Sequence, residues 1–81
     1  MSDLSKIVSF LEQLLDDTSV PKNVRASIAA ARERLLSAEG EADVASAIYS
    51  LDEISNDINL PMHARTIIWN ILSELESIKR G

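Results

Sequence analysis

The sequence predicts an all-α fold: an antiparallel four-helix bundle made of two similar helix–turn–helix hairpins, 1–40 and 41–81, in a single domain. Three observations carry this prediction. Apolar residues recur at i, i+3, i+4 and i+7 through four segments. Breakers are few, two glycines and two prolines, and the prolines occupy matching places. A shift of forty residues lays Asp-Thr-Ser-Val-Pro-Lys-Asn-Val-Arg (17–25) over Asp-Ile-Asn-Leu-Pro-Met-His-Ala-Arg (57–65). In that register Asp17, Pro21 and Arg25 match Asp57, Pro61 and Arg65, while Leu11, Leu14, Ile28 and Leu35 match Leu51, Ile54, Ile68 and Leu75. A period near forty, built of two helices around a short turn, is typical of helical repeat units. It implies an approximate two-fold axis between the halves.

The first helix carries Leu4, Ile7, Val8, Leu11, Leu14 and Leu15 as one stripe, with Ser2 or Asp3 available to cap its free amides. The second is expected to open at Pro21, because a first helical position has no use for the missing N–H. Its stripe is Val24, Ile28, Ala31 and Leu35, and Ala26, Ala29 and Ala30 allow a close helix approach. Gly40 is expected to stop it. The third helix places Glu41 and Asp43 in its first turn, where the helix dipole favours acids, and carries Val44, Ala47, Ile48, Leu51 and Ile54. The fourth is expected to open at Pro61 and run through Ala64, Ile67, Ile68, Ile71, Leu75 and Ile78 to Lys79 and Arg80 at its negative pole. Neither hairpin can bury its stripes alone, and two packed face to face can.

At 81 residues the chain is near the lower limit for folding without disulfides or metals, and it has no cysteine for either. It shows no signal-peptide pattern and no run of about eighteen apolar residues, so a cytoplasmic location without a membrane span is expected. The net charge is −5, which disfavours phosphate-driven binding of nucleic acid. Charge is uneven. Residues 1–40 hold five bases and six acids, and residues 41–81 hold three bases and seven acids. Lys22, Arg25, Arg32 and Arg34 make the second helix basic, and the third is acidic. These helices either complement each other or leave Lys22, Arg25 and Arg32 as a strip for an acidic partner.

The repeated Asp–Pro–Arg pattern reads as architecture. Asp17 and Asp57 are placed to accept N–H groups at the start of the following helix, or to pair with Arg25 and Arg65. His63 is the single histidine, and Asp57, Asp52 and Glu53 are near it in sequence. Their spacing fits no metal motif, so a solvated helix-start histidine is the expectation. Gly-rich phosphate loops, nucleophile elbows and His-x-x-x-His helices are absent. Accordingly no enzyme activity, metal or cofactor is expected.

The aromatics are Phe10, Tyr49 and Trp69, and none falls on a core stripe. At about 100° per residue, Trp69 projects roughly 140° from the centre of its helix's stripe, beside Met62 and Leu72. Either Trp69 and Phe10 fill seams of the bundle, or Trp69, Leu72, Met62, Tyr49 and Phe10 mark an apolar surface for self-association or a protein partner.

The turn Leu-Leu-Asp-Asp-Thr-Ser-Val-Pro-Lys-Asn-Val-Arg is similar to that of HEAT-type repeats. A longer stretch, Ala-Ile-Tyr-Ser-Leu-Asp-Glu-Ile-Ser-Asn-Asp-Ile-Asn-Leu-Pro-Met-His-Ala-Arg-Thr-Ile-Ile-Trp-Asn-Ile-Leu-Ser-Glu-Leu-Glu (47–76), resembles the archaeal uncharacterised protein family 0147. The resemblance implies a compact helical protein of an archaeal cytoplasm and brings no activity, substrate or catalytic residue. The function expected is therefore a non-enzymatic protein-interaction module or small homo-oligomer, such as a homodimer. The alternative is a nucleic-acid-associated factor using the second helix.

Overall fold

The structure, a computed structural model, describes the backbone of residues 2–80 and the side chains of residues 4–78. Four helices follow one another: α1 (Ser2–Leu15), α2 (Lys22–Leu36), α3 (Glu41–Ser55) and α4 (Met62–Arg80). They form a closed ring in which α1 packs on α2 and α4, and α3 packs on the same two helices. Consecutive helices are joined by short connections and run antiparallel, and the molecule measures 33 × 20 × 19 Å. The capping expected of Ser2 and Asp3, and the placement of the Lys79 and Arg80 side chains, lie outside the described residues.

Among the described residues the core consists of sixteen apolar side chains, and they fall into eight pairs forty residues apart. In α1 and α3 these are Ile7, Leu11 and Leu14 with Ala47, Leu51 and Ile54. In α2 and α4 they are Val24, Ile28, Ala31 and Leu35 with Ala64, Ile68, Ile71 and Leu75. Alternating steps of four and three along each helix keep one narrow seam facing inward, as in coiled-coil packing. Antiparallel pairing sets Ile7, Ala31, Ala47 and Ile71 at one height, and Leu11, Ile28, Leu51 and Ile68 at the next. Bulk on α1 and α4 thus compensates the alanines of α2 and α3, holding the layer's volume. Leu4, predicted for the stripe, lies at its solvent end and is exposed, whereas Val8 and Leu15 are half-buried. Of the alanines expected to permit close approach, Ala26 and Ala30 face outward.

The eighth pair, Val20 and Leu60, belongs to the turns rather than to any helix. Each immediately precedes a proline and closes the same end of the core. The prolines stand one position earlier than expected. Pro21 has φ −56° and ψ 147°, an extended ψ that makes it the residue before the helix rather than its first member. Its carbonyl accepts the first helical bond from Arg25 N–H at 2.9 Å, and Pro61 does the same for Arg65 at 3.0 Å.

Gly40 has a different role from the one expected. The second helix ends at Leu36, with Ser37 as its cap in an ordinary backbone conformation, so no left-handed glycine closes it. Gly40 instead precedes α3 in an extended conformation, φ 173° and ψ −176°, and its carbonyl accepts Val44 N–H at 3.3 Å. Asp43 reaches back to accept the Glu39 N–H at 3.0 Å, which ties the preceding loop to the first turn but leaves the amides of α3 without a side-chain cap. A Cβ on Gly40 would meet nothing within 4 Å. Gly40→Ser therefore adds a capping oxygen and restricts the unfolded chain, and should raise stability by about 0.5 kcal/mol. Urea unfolding checks this; a loss of stability would mean that the glycine is conformationally required.

Candidate functional site

Both hairpin turns lie at one end of the bundle and share a hydrogen-bond pattern. Asp17 N–H donates to Leu14 O at 3.1 Å, and Val20 N–H donates to Asp17 O at 3.1 Å. Forty residues on, Asp57 N–H donates to Ile54 O at 3.0 Å, and Leu60 N–H donates to Asp57 O at 3.1 Å. Each aspartate also folds its carboxylate over its own turn. Asp17 Oδ1 accepts Ser19 N–H at 2.9 Å, and Asp57 Oδ1 accepts Asn59 N–H at 2.8 Å. Such Asx turns offer the backbone a local partner two residues on.

This overturns both roles expected of the aspartates. They accept turn amides, not amides of the following helix, and neither forms an ion pair with its arginine. The arginines serve carbonyls instead. Arg65 Nε donates to Ser55 O at 2.9 Å, and its Nη2 donates to Asp57 O at 3.0 Å and Leu60 O at 3.4 Å. It thereby caps the carbonyl end of α3, where positive charge is favoured. Arg25 makes only one such bond, Nε to Val20 O at 3.2 Å.

One side-chain cluster joins the two turns. His63 Nε2 lies 2.6 Å from Asp17 Oδ2, an ion pair when the imidazole is protonated and a hydrogen bond donated by Nε2–H when it is neutral. Ser19 Oγ donates to Asp17 Oδ1 at 2.6 Å and lies 3.4 Å from the same His63 nitrogen. His63 is thus exposed but partnered, by an aspartate from the other hairpin rather than by Asp52, Glu53 or Asp57. A sequence window around His63 could not show this, because the partner is 46 residues away. The corresponding pair in the other register, Asn23 with Asp57, makes no hydrogen bond among the described residues.

The trio contains Ser, His and Asp but not the geometry of a catalytic relay. In a relay the hydroxyl and the carboxylate engage opposite ring nitrogens, so that the imidazole draws the hydroxyl proton. Here both contacts fall on Nε2, and the Ser19 hydroxyl proton already points to Asp17. The bond from the Ser19 hydroxyl, the contact with His63 and the Ser19 amide together hold the Asp17 carboxyl at about 2, below its ordinary 3.8. Among the described residues no three His, Cys, Asp or Glu side chains converge as a metal site would require.

The basic strip is largely committed within the molecule. Arg32 pairs with Glu33 at 3.0 Å and with Glu12 of α1 at 3.5 Å, and Arg25 is turned into its own turn. Lys22 is exposed. Across the α2–α3 seam Arg34 meets hydroxyls rather than carboxylates, donating to Ser50 at 3.0 Å and Ser46 at 3.2 Å. It lines an open cleft of about 310 Å³ together with Glu53 and Asp57.

The candidate interface residues divide. Phe10 packs half-buried against the core and lines an open cleft between α1 and α4, beside Lys6 and Glu74, which pair at 3.5 Å. Leu72 is also half-buried against the core. Trp69, Met62 and Tyr49 are exposed, at 53%, 66% and 73%. They stand on the outer surface of α3 and α4. Sequence reasoning did not identify Ile58, which is also exposed, at the tip of the α3–α4 turn.

Two predictions follow from the turn. Arg65→Ala removes the guanidinium bonds to three carbonyls and should cost about 2 kcal/mol, against about 1 kcal/mol for Arg25→Ala; equal losses in urea unfolding would refute the carbonyl clamp. The Asp17 carboxyl is lowered in the folded state, so its stabilisation is complete above its unfolded pKa near 3.8 and disappears as pH falls through about 2. Asp17→Asn should therefore flatten the acid limb of the stability curve between those values, leaving the remaining pH dependence in place.

The comparisons with known proteins agree with this architecture. A protein from Methanocaldococcus jannaschii is 48% identical over 79 residues, covering 94% of this chain and 84% of its own. One from Thermococcus kodakarensis is 48% identical over 83 residues, covering 98% of this chain and all of its own. A crystal structure of a family protein from Thermoplasma acidophilum superposes with a TM-score of 0.86 at 32% identity, covering 95% of this chain and 93% of that one. Another crystal structure, of a protein of unknown function, gives 0.85 at 45% identity and covers 93% and 88%. The relatives are named by their family alone, with no activity attached. With the family model matching residues 1–78, the chain belongs to the Uncharacterised protein family (UPF0147).

Proposed function

We propose that this protein is a non-enzymatic interaction module that binds a protein, another chain or a second copy of itself, through the outer face of α3 and α4. One observation carries the reading: Tyr49, Met62 and Trp69 are each more than half exposed on that face. Tryptophan and tyrosine are enriched in interfaces and at their energetic centres, where their rings bury large areas at little entropic cost.

The polar contacts of the other seams support the same reading. Lys6 and Glu74 bridge α1 to α4, Arg32 and Glu12 bridge α2 to α1, and Arg34 reaches the serines of α3. Between α3 and α4 the described side-chain bonds are those of Arg65 at the turn. Away from the turn no described side-chain hydrogen bond or ion pair joins these two helices.

Trp69→Lys tests the proposal. Because Trp69 is exposed, the variant should unfold within about 0.5 kcal/mol of the parent. Affinity capture from native extract, alongside sedimentation of the purified protein, should show a defined partner or a dimer with the parent and neither with the variant. Identical behaviour of the two proteins would remove this face from the function.

A further inference from the structure

We infer that the α3–α4 face receives a positively charged protein segment, an Arg- or Lys-rich stretch that sets apolar and cationic side chains on the aromatics. The inference rests on the reading of this face as a protein interface and adds the chemistry of the occupant.

Tyr49 lies six residues before the end of α3, and Trp69 seven after the start of α4. At about 1.5 Å per residue both stand roughly 10 Å from the shared turn, at the same height. The bonds of Arg34 and of Lys6 fix the sides of α3 and α4. Ser46 and Ser50 mark the flank of α3 toward α2, and Glu74 marks the flank of α4 toward α1. At about 100° per residue, Asp52 and Leu72 then lean toward the α3–α4 seam from either side, with Tyr49, Trp69 and Glu76 projecting outward around them. The aromatic pair is therefore flanked by carboxylates. Asp52 and Glu76 are exposed and take part in none of the ion pairs among the described residues. Arg65, on the same side of α4, has its guanidinium turned into the carbonyls of the turn.

Three kinds of occupant meet this surface differently. A nucleic acid or an anionic membrane would bring negative charge against Asp52 and Glu76. A second copy docked by two-fold symmetry would bring two sets of the same acids into one interface, and like charges across an interface oppose association. A basic segment gains on both counts: its charges complement the carboxylates, and Arg or Lys groups over Tyr49 and Trp69 make cation–π contacts.

Trp69 is the only tryptophan, so its fluorescence reports on this face directly. The probe is a synthetic amphipathic helix with leucines along one stripe and arginines elsewhere, and its control has glutamate in place of each arginine. With the arginine peptide the emission should shift and saturate, and binding should weaken as salt is added. Asp52→Asn combined with Glu76→Gln should weaken it by about tenfold. The same neutralisation at two remote exposed acids, Asp16→Asn with Glu39→Gln, should leave it within about twofold. Equal or tighter binding of the glutamate peptide, or indifference to the Asp52/Glu76 variant, overturns the basic partner and leaves a protein interface standing. A concentration-dependent dimer that shifts Trp69 emission overturns it in favour of a second copy. Emission unchanged by either peptide in a protein that stays monomeric overturns the face itself.

Discussion

Everything in this molecule depends on closing one apolar core with four stripes, none of which is buried without the others. Each hairpin leaves its seam open along its whole length. A chain of this size has no cysteine to staple a partly formed core, and small domains have little burial to spare. The forty-residue pairing of the core solves this by placing equivalent residues at equivalent heights in both hairpins. Where one member of a pair is small, as in Ile7 with Ala47 or Ala31 with Ile71, the layer compensates from the other hairpin. The two halves are therefore alike in pattern and complementary in volume.

Heights must be set before layers can meet, and that is the work of the turns. Val20 and Leu60 anchor each turn in the core, while Asp17 and Asp57 fold it by accepting the amides two residues on. Arg65 then gathers carbonyls from the end of α3 and from the turn, so the polar ends of one helix are satisfied by the opening turn of the next. The bond between Asp17 and His63 adds a polar link between the hairpins at the end where Val20 and Leu60 close the core. It is one-sided, since position 23 holds an asparagine where position 63 holds a histidine. The arrangement of Ser19, His63 and Asp17 reads as a joint between turns, because a single imidazole nitrogen serves both neighbours.

The elements legible in the sequence were those with local causes. Helical spacing gave the four stripes and most of the core, but the offset of Trp69 from its stripe left both a seam and an outward position open. What escaped depended on backbone angles or on distant chain. Gly40 carries the same letter whether it ends one helix or precedes the next, and only its φ and its distance from Leu36 decide. Pro21 and Pro61 were misplaced by one residue, because ring geometry fits both the cap and the first helical position. The Asp–Arg repeat invited pairing of opposite charges. A carboxylate folded over its own turn and a guanidinium drawn to helix-end carbonyls satisfy more backbone groups than that pairing would. Val20 and Leu60 left a usable signal, an apolar residue before proline repeated at forty. Phe10 and Trp69 were indistinguishable by composition, and the packing of α1 against α4 separates them.

The contrast between those two aromatics bears on what the surface is for. Phe10 contributes to the fold because it is half-buried against the core. Trp69 and Tyr49 have no such cover, and the core beneath them is already complete with Ile68, Ile71 and Leu51. Burying either ring in the monomer would require a fifth element. Within the chain, then, the exposed rings add little to folding free energy, and leaving such area in water forgoes the stabilisation its burial would give. A surface that adds little to the fold can be altered without unfolding it, so substitutions there separate recognition from stability. Substitutions at Arg65 or Asp17 act on the frame. Two parts of α4 thus answer to different constraints: its first turn is held by the architecture of the hairpin, and its outer face is left exposed.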